Sequence, residues 1–263
     1  SLDFPVFSGF RVSGSDAALV IKGLKLEKEG SLSSEVPFLT VVNNSSGKVT
    51  LEDVELSNVV DGIAMVGTGS IEIKDSIITG DESKSGECIS IASDGAIVKS
   101  SLISSCGEGV RIAADGVLLG AQDKAGYSAE KNVINGNGIG IHVVSGSGNK
   151  FAFNNVYDNQ VIGSAASVLN AVNIEEGANN GINPASVIND EESGAALRCE
   201  KDQDGFVTKM EVFFSVPSAG QITIYESDND NFNQAQYLVA SCSVGDDGKC
   251  LIENPQFQEE MSN

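Results

Sequence analysis

The chain has 263 residues, with 37 Asp and Glu against 16 Lys and Arg, a net charge of −21 and a pI of about 4.2. Nucleic acid and anionic membrane surfaces need clustered Lys and Arg, so this balance argues against both as partners and leaves cationic partners and Ca²⁺ open. The length suits one long domain or two smaller ones with an ample core, and no apolar run reaches the length of a membrane span.

The opening "SLDFPVFSGF" carries no basic, apolar leader; it reads as a mature or truncated N-terminus, which leaves open a secretion signal ahead of it. Beyond it the chain repeats itself. The segments "IKGLKL", "LEDVEL", "IKDSII", "VKSSLI", "EKNVIN" and "FNNVYD" begin at residues 21, 51, 73, 98, 130 and 153. A second column reads Ile63-Ala64-Met65, Ile89-Ser90-Ile91, Val110-Arg111-Ile112 and Ile141-His142-Val143. Around the middle of these, Gly86–Gly95 returns almost unchanged as Gly107–Gly116. Short alternating strands separated by turn residues at a nearly constant period predict a solenoid. A strand of three residues is unstable alone, but stacked on its copy one coil away it gains a parallel ladder and buries its inward Ile, Val, Leu or Met. The unequal spacing assigns the extra residues, 28–48, 79–86 and 120–129, to loops that leave the coil.

Small polar residues recur at Gly23, Asp53, Asp75, Ser100, Asn132 and Asn155, which places them in one structural turn column where side chains bond local backbone and stack. Asp94 and Asp115 share an Asp-Gly turn column, where Gly accepts positive φ and Asp bonds the following amides.

The repeats over 11–188 resemble those of the right-handed parallel β-helix, the architecture of pectate lyases and polygalacturonases. The most specific stretch, "KNVINGNGIGIHVVSGSGNKFAFNNVYDN" (131–159), resembles the repeats of secreted bacterial β-helix proteins. In some of these a segment like "GANNGINPASV" (177–187) closes the helix before a β-sandwich with a pattern like "MEVFFSVP", "QITIYES" and "QYLVASCSVGDDGKCLIE". The resemblance covers about nine-tenths of the chain. It implies an all-β protein: a right-handed parallel β-helix over 1–190 and a small antiparallel β-sandwich over 196–255, followed by a tail at 256–263. It also implies secretion or display on a bacterial surface. "NDEESGA" (189–195) reads as the linker, and the strands after it alternate as antiparallel strands do.

The five cysteines are 88, 106, 199, 242 and 250, with no C-x-x-C to suggest a zinc or thioredoxin-type site. Cys242 and Cys250 flank the hairpin-like "SVGDDGK" and are expected to pair. Cys88 and Cys106 sit at offset positions of neighbouring repeats, too far apart for good bridge geometry. Disulfides would fit an oxidising compartment.

Aligning the coils brings Asp61, Glu87 and Glu108 into register just before the strand, with Ala64, Ser90, Arg111 and His142 pointing outward from it. Arg111 is one of three arginines and His142 the only histidine. The insertion after Leu119 is expected to form a wall beside them. Two carboxylates of differing pKa are what a glycosidase needs. A base and a carboxylate-binding cation are what a polysaccharide lyase needs. Glu108, Arg111 and His142 are the candidates for either role, and Asp61, Glu87, Ser90, Glu108, Arg111 and His142 for a ligand-binding face. Charged residues on an outward strand face are also simply what solvent favours. The adjacent Asp-Asp of polygalacturonases occurs only at Asp246-Asp247, in the terminal module, and neither the Asp-His pair of pectate lyases nor the Asp-Pro-His-Asp of alginate epimerases is present.

No cofactor is expected. The clusters Asp202-Gln203-Asp204-Gly205 and Asp228-Asn229-Asp230-Asn231 leave Ca²⁺ open, although each is too short for an EF-hand loop. P-loop, dinucleotide and serine-nucleophile motifs are absent. Three functions therefore stand open. The leading one is a secreted or cell-surface module, adhesive or glycan-binding, with the helix as a rigid rod. The others are a polysaccharide lyase or glycoside hydrolase and a purely structural surface protein.

Overall fold

The computed structural model describes residues 10–13, 16, 18–27, 37–81, 85–123, 125–151, 153–159, 172–179, 186–187, 197–203, 207–215, 220–226, 237–244 and 249–253. The chain divides into two compact units, the first reaching Asn180 and the second beginning at Gly181.

The first unit winds through successive coils of up to three strands. The first coil holds β1 (Phe10–Ser13), β2 (Leu19–Lys22) and β3 (Lys25–Glu27). The second holds β4 (Leu39–Val42), β5 (Val49–Glu52) and β6 (Glu55–Val59). The third holds β7 (Ile63–Gly67), β8 (Ile71–Lys74) and β9 (Ile77–Gly80), and the fourth β10 (Glu87–Ser93), β11 (Ile97–Lys99) and β12 (Leu102–Ser104). The fifth holds β13 (Glu108–Ala113), β14 (Leu118–Leu119), a helical turn α1 (Tyr127–Glu130) and β15 (Val133–Asn135). Next come β16 (Ile139–Ser145) and β17 (Asn155–Tyr157), then β18 (Val172–Ile174).

These strands stack into three parallel sheets. The first runs β1-β4-β7-β10-β13-β16-β18, the second β2-β5-β8-β11-β14, and the third β3-β6-β9-β12-β15-β17. The result is a β-helix-like solenoid, as the repeats predict. Its core is a set of apolar columns, one residue per coil. Leu39, Ile63, Ile89, Val110 and Ile141 form one, and Val41, Met65, Ile91, Ile112 and Val143 the next. All ten are fully or almost fully buried, and each such side chain contributes about 1.5–3 kcal/mol of transfer free energy.

Polar ladders turn the corners. Between the second and third sheets, Val54 N–H donates to Ser76 Oγ, Ser76 N–H to Ser101 Oγ, Ser101 N–H to Asn132 Oδ1, and Asn132 N–H to Asn154 Oδ1. Each buried side chain thereby satisfies an amide that the bend removes from the sheets. The left-handed residues that make this corner are Gly23, Asp53, Asp75 and Ser100, with φ of 69, 56, 52 and 52°. The turn column extrapolated to Asn132 and Asn155 is corrected by the register. Leu102 aligns with Val133 and Asn155, so Asn155 lies on β17 and Asn132 in the buried ladder; Phe153, with φ of 60°, takes the left-handed position. The insertion after Leu119 lengthens this corner, so spacing from the second sheet no longer predicts register in the third. The Asp-Gly column is as expected. Asp94 Oδ1 accepts from Asp115 N–H at 2.9 Å and Asp115 Oδ1 from Ser147 N–H at 2.7 Å, while Gly95 and Gly116 both take φ of 64°.

Three further expectations change. Strand β4 lies inside the 28–48 segment assigned to a loop, and β9 extends to Gly80. The insertion after Leu119 does not flank the first sheet. Its Glu130 pairs with Lys99 at 3.1 Å and its Tyr127 hydroxyl bonds Asn155 Oδ1, both at the corner between the second and third sheets. Finally, Cys88 and Cys106 form a disulfide, with Cα atoms 5.6 Å apart. Counted along flat strands they are offset by several residues, but Cys106 lies in the corner that bends inward before β13, and this brings it beneath the inward-facing Cys88. In the following coils that corner is held by Asn137 and Asn159 instead, Asn137 Oδ1 accepting Cys106 N–H.

In the second unit, β19 (Ser186–Val187), β20 (Leu197–Lys201), β21 (Val207–Ser215), β22 (Gly220–Glu226), β23 (Tyr237–Val244) and β24 (Lys249–Glu253) pair antiparallel. Strand β21 bonds β19, β20 and β24, and β22 bonds β23. The expected Cys242–Cys250 pairing concerns side chains outside the described residues. Among the described residues no helix is long and apolar enough to cross a membrane.

Candidate functional site

The outward residues of the first sheet form a column. Thr40, Ala64, Ser90, Arg111, His142 and Asn173 are successive ladder partners, one per coil. The parallel register is what aligns them, because a strand's outward positions recur every second residue and the inward apolar pairs fix which set that is. Glu87 pairs with Glu108 across the same ladder, and Asp61 occupies the equivalent place one coil earlier. The expected acid register is therefore present.

The side chains join these acids to the two cationic residues in one chain of contacts. Arg111 Nε lies 3.3 Å from Glu87 Oε1 and 4.0 Å from Glu108 Oε2. His142 Nδ1 lies 2.9 Å from Glu108 Oε1, and His142 Nε2 lies 2.9 Å from Glu175 Oε1. The order across the coils is thus Glu87, Arg111, Glu108, His142, Glu175, alternating in sign. Glu108 Oε2 is buried and accepts no hydrogen bond among the described residues. Burial works to lower the His142 pKa, but the hydrogen bonds the ring donates to Glu175 and Glu108, with the charges of those carboxylates, outweigh it and raise the pKa above its ordinary value.

Beside this strip an open depression of about 220 Å³ is lined by Pro37, Asp61, Gly62, Ile63, Ala64, Glu87 and Ser90. Asp61 Oδ1 accepts the Glu87 N–H at 3.2 Å, so one of its oxygens is committed to holding the rim. Glu87 belongs to both features, lining the depression and reaching Arg111. The structure therefore brings Asp61, Glu87, Ser90, Glu108, Arg111 and His142 onto one face. Sequence reasoning did not include Glu175. The signal was available: "VNI" at 172–174 repeats the pattern of "IHV" at 141–143, and Glu175 follows it directly.

Both cationic groups of the face are engaged by carboxylates. A general base needs a lone pair that a substrate proton can reach, and both ring nitrogens of His142 already face carboxylates. A cation that clamps a substrate carboxylate must be free to do so, and Arg111 is flanked by Glu87 and Glu108. The depression beside them is lined by the carboxylates of Asp61 and Glu87, each with one oxygen already engaged, and by Ser90. Of the two acid clusters considered for Ca²⁺, Asp202 is exposed on the surface, whereas Asp204, Asp228 and Asp230 lie outside the described residues. The chain matches no protein-family model and no curated protein in sequence, so its likeness to β-helix proteins rests on the repeats and the coil architecture.

Proposed function

We propose that this chain is a secreted or cell-surface glycan-binding module, built as a right-handed β-helix of the pectate-lyase-like kind with a small C-terminal β-sandwich as its attachment or spacer unit. The observation that carries the reading is the pairing of both cationic groups on the face with carboxylates, next to an open depression whose polar groups are Asp61, Glu87 and Ser90. Carboxylates and hydroxyls hydrogen-bond sugar hydroxyls well, and the shallow, open shape suits one ring of a longer chain better than an enclosed small molecule. The acidic lining disfavours uronates and sulfated chains and directs the reading to neutral or amino-bearing polysaccharides. The Cys88–Cys106 bond supports an oxidising, extracellular setting. The rigid coil supports a display role, since stacked coils hold their outward columns in fixed register.

The test is a panel of neutral, amino-bearing and acidic polysaccharides, with retention on each measured and the chain length of the recovered polymer determined. The reading expects retention of a neutral or amino-bearing polymer, recovered intact, and loss of retention in Glu87→Ala. No retention across the panel refutes it. Shortened or unsaturated products would establish the alternative, a glycoside hydrolase or polysaccharide lyase acting through Glu108, Arg111 and His142.

A further inference from the structure

We propose that His142 is a proton-dependent clasp that joins three successive coils and releases β18 when it loses its proton. The inference is independent of the glycan reading. It starts from geometry. Nδ1 is 2.9 Å from a carboxylate oxygen of Glu108, on β13, and Nε2 is 2.9 Å from one of Glu175, directly after β18. A carboxylate offers acceptors alone, so both contacts are hydrogen bonds only if both ring nitrogens carry hydrogen. Neutral imidazole has one N–H. In that form one of the two carboxylates faces a lone pair at hydrogen-bond distance, which is repulsive.

The charged surroundings point the same way. Facing His142 from β13 are Glu108 and Arg111, with Glu87 of β10 behind Arg111. From the β18 side come Asn173, its ladder partner, and Glu175. Strand β16 itself carries no other charged residue. Protonated, the strip sets two cations among three carboxylates; deprotonated, it leaves Arg111 alone among Glu87, Glu108 and Glu175. The raised pKa of His142 agrees with this balance.

The release is directional. Among the described residues β18 ends the first sheet, with β16 as its one ladder partner. The Glu175 side chain is 51% exposed and that of Glu108 25%, so Glu175 is the partner that can turn out to water. The backbone bond from Glu175 N–H to Val143 O, 2.9 Å, lies at the same spot and opens with it. Because the folded pKa lies above the unfolded value, the clasp contributes fully below about 6.5 and its contribution is lost as pH rises through the folded pKa.

The chain has one histidine, so an NMR titration of the whole protein reads His142 directly. It is paired with hydrogen exchange of the amides at 172–179 from pH 5 to 9, corrected for intrinsic exchange. The titration midpoint is expected above 6.5, and protection of 172–179 falls across it by about tenfold for each unit by which Glu175→Gln lowers that midpoint, since Glu108 still faces the ring after β18 is released. Glu175→Gln, a half-exposed substitution that leaves the core untouched, is expected to bring the midpoint back toward 6.5 and to flatten the pH dependence. In His142→Gln protection should no longer vary with pH. A midpoint at or below 6.5 overturns the inference, and so does a pH dependence of protection in Glu175→Gln equal to that of the parent protein.

Discussion

Replacing both Cys88 and Cys106 by alanine removes the bond that links the fourth coil to the corner before the fifth. The two residues are 18 apart in sequence and fully buried. Closing a loop of that size in the unfolded chain is worth about 3 kcal/mol on the chain-entropy account. For a unit of this size about 2–4 °C of Tm accompanies each kcal/mol, so the double variant should melt roughly 6–12 °C lower, with the lost sulfur packing adding to that. The hydrogen bond from Cys106 N–H to the side-chain oxygen Oδ1 of Asn137 does not involve the thiol and should survive, which keeps the corner and the fold intact. The assay is thermal and urea unfolding of parent and variant, alongside alkylation of the denatured, unreduced parent followed by peptide mapping. Cys88 and Cys106 should resist alkylation until reductant is added. Alkylation of both without reductant, or a variant that melts with the parent, would refute the reasoning.

Other outcomes follow from single contacts. Asn132→Ala leaves the buried Ser101 N–H without its acceptor, while Val98 C=O keeps the Gly120 N–H and Asn154 Oδ1 keeps the backbone N–H of residue 132; urea unfolding should show a loss of about 1–3 kcal/mol, the cost of one unsatisfied buried group, and an unchanged midpoint would contradict the ladder. Glu72 lies 2.6 Å from Lys48 and 3.5 Å from Lys99. Burial works to raise its pKa, yet the two ammonium groups hold it below its ordinary 4.5. Its contribution is thus present above 4.5 and lost as pH falls through the lowered value; an acid-unfolding curve of Glu72→Gln parallel to the parent's would contradict this. Gly86 takes φ of 76°, and a Cβ there would press on Asp61 Oδ1 and Val60 O. Gly86→Ala should cost about 1–2 kcal/mol from the left-handed backbone alone and weaken polysaccharide retention by displacing the Asp61 rim; unchanged stability and retention would count against the geometry of the depression.

The acid register and the outward pair Arg111 and His142 could be read from the chain because the strand pattern itself returns without insertion, although the coils between Ala64, Ser90, Arg111 and His142 are 26, 21 and 31 residues long. Between Gly86 and Gly107 nothing is inserted in the strand that matters, so counting residues is the same as counting ladder rungs. The reading failed where the chain turns. Spacing alone puts Asn132 and Asn155 in one turn column, and the structure places them in two others, because the segment carrying α1 changes the length of one corner and spacing carries no trace of where the extra residues go. Strand β4 is hidden in the sequence although Leu39 and Val41 match Ile63 and Met65, because the long spacing around it conceals the period. Glu175 was missed because its coil is represented in the first sheet by only three residues, too few to stand out as a repeat.

The sequence by itself determined the solenoid: period-two apolar residues returning at each coil can be buried only by stacking, and the Asp-Gly and Asn positions can be satisfied only at turns. The tertiary structure decided what crosses between coils. Whether Cys88 meets Cys106, and whether His142 stands free or between Glu108 and Glu175, depends on how far each corner bends and on which side chains converge there. Those are distances between residues far apart in sequence, set by the packing of the whole coil, and local pattern does not encode them.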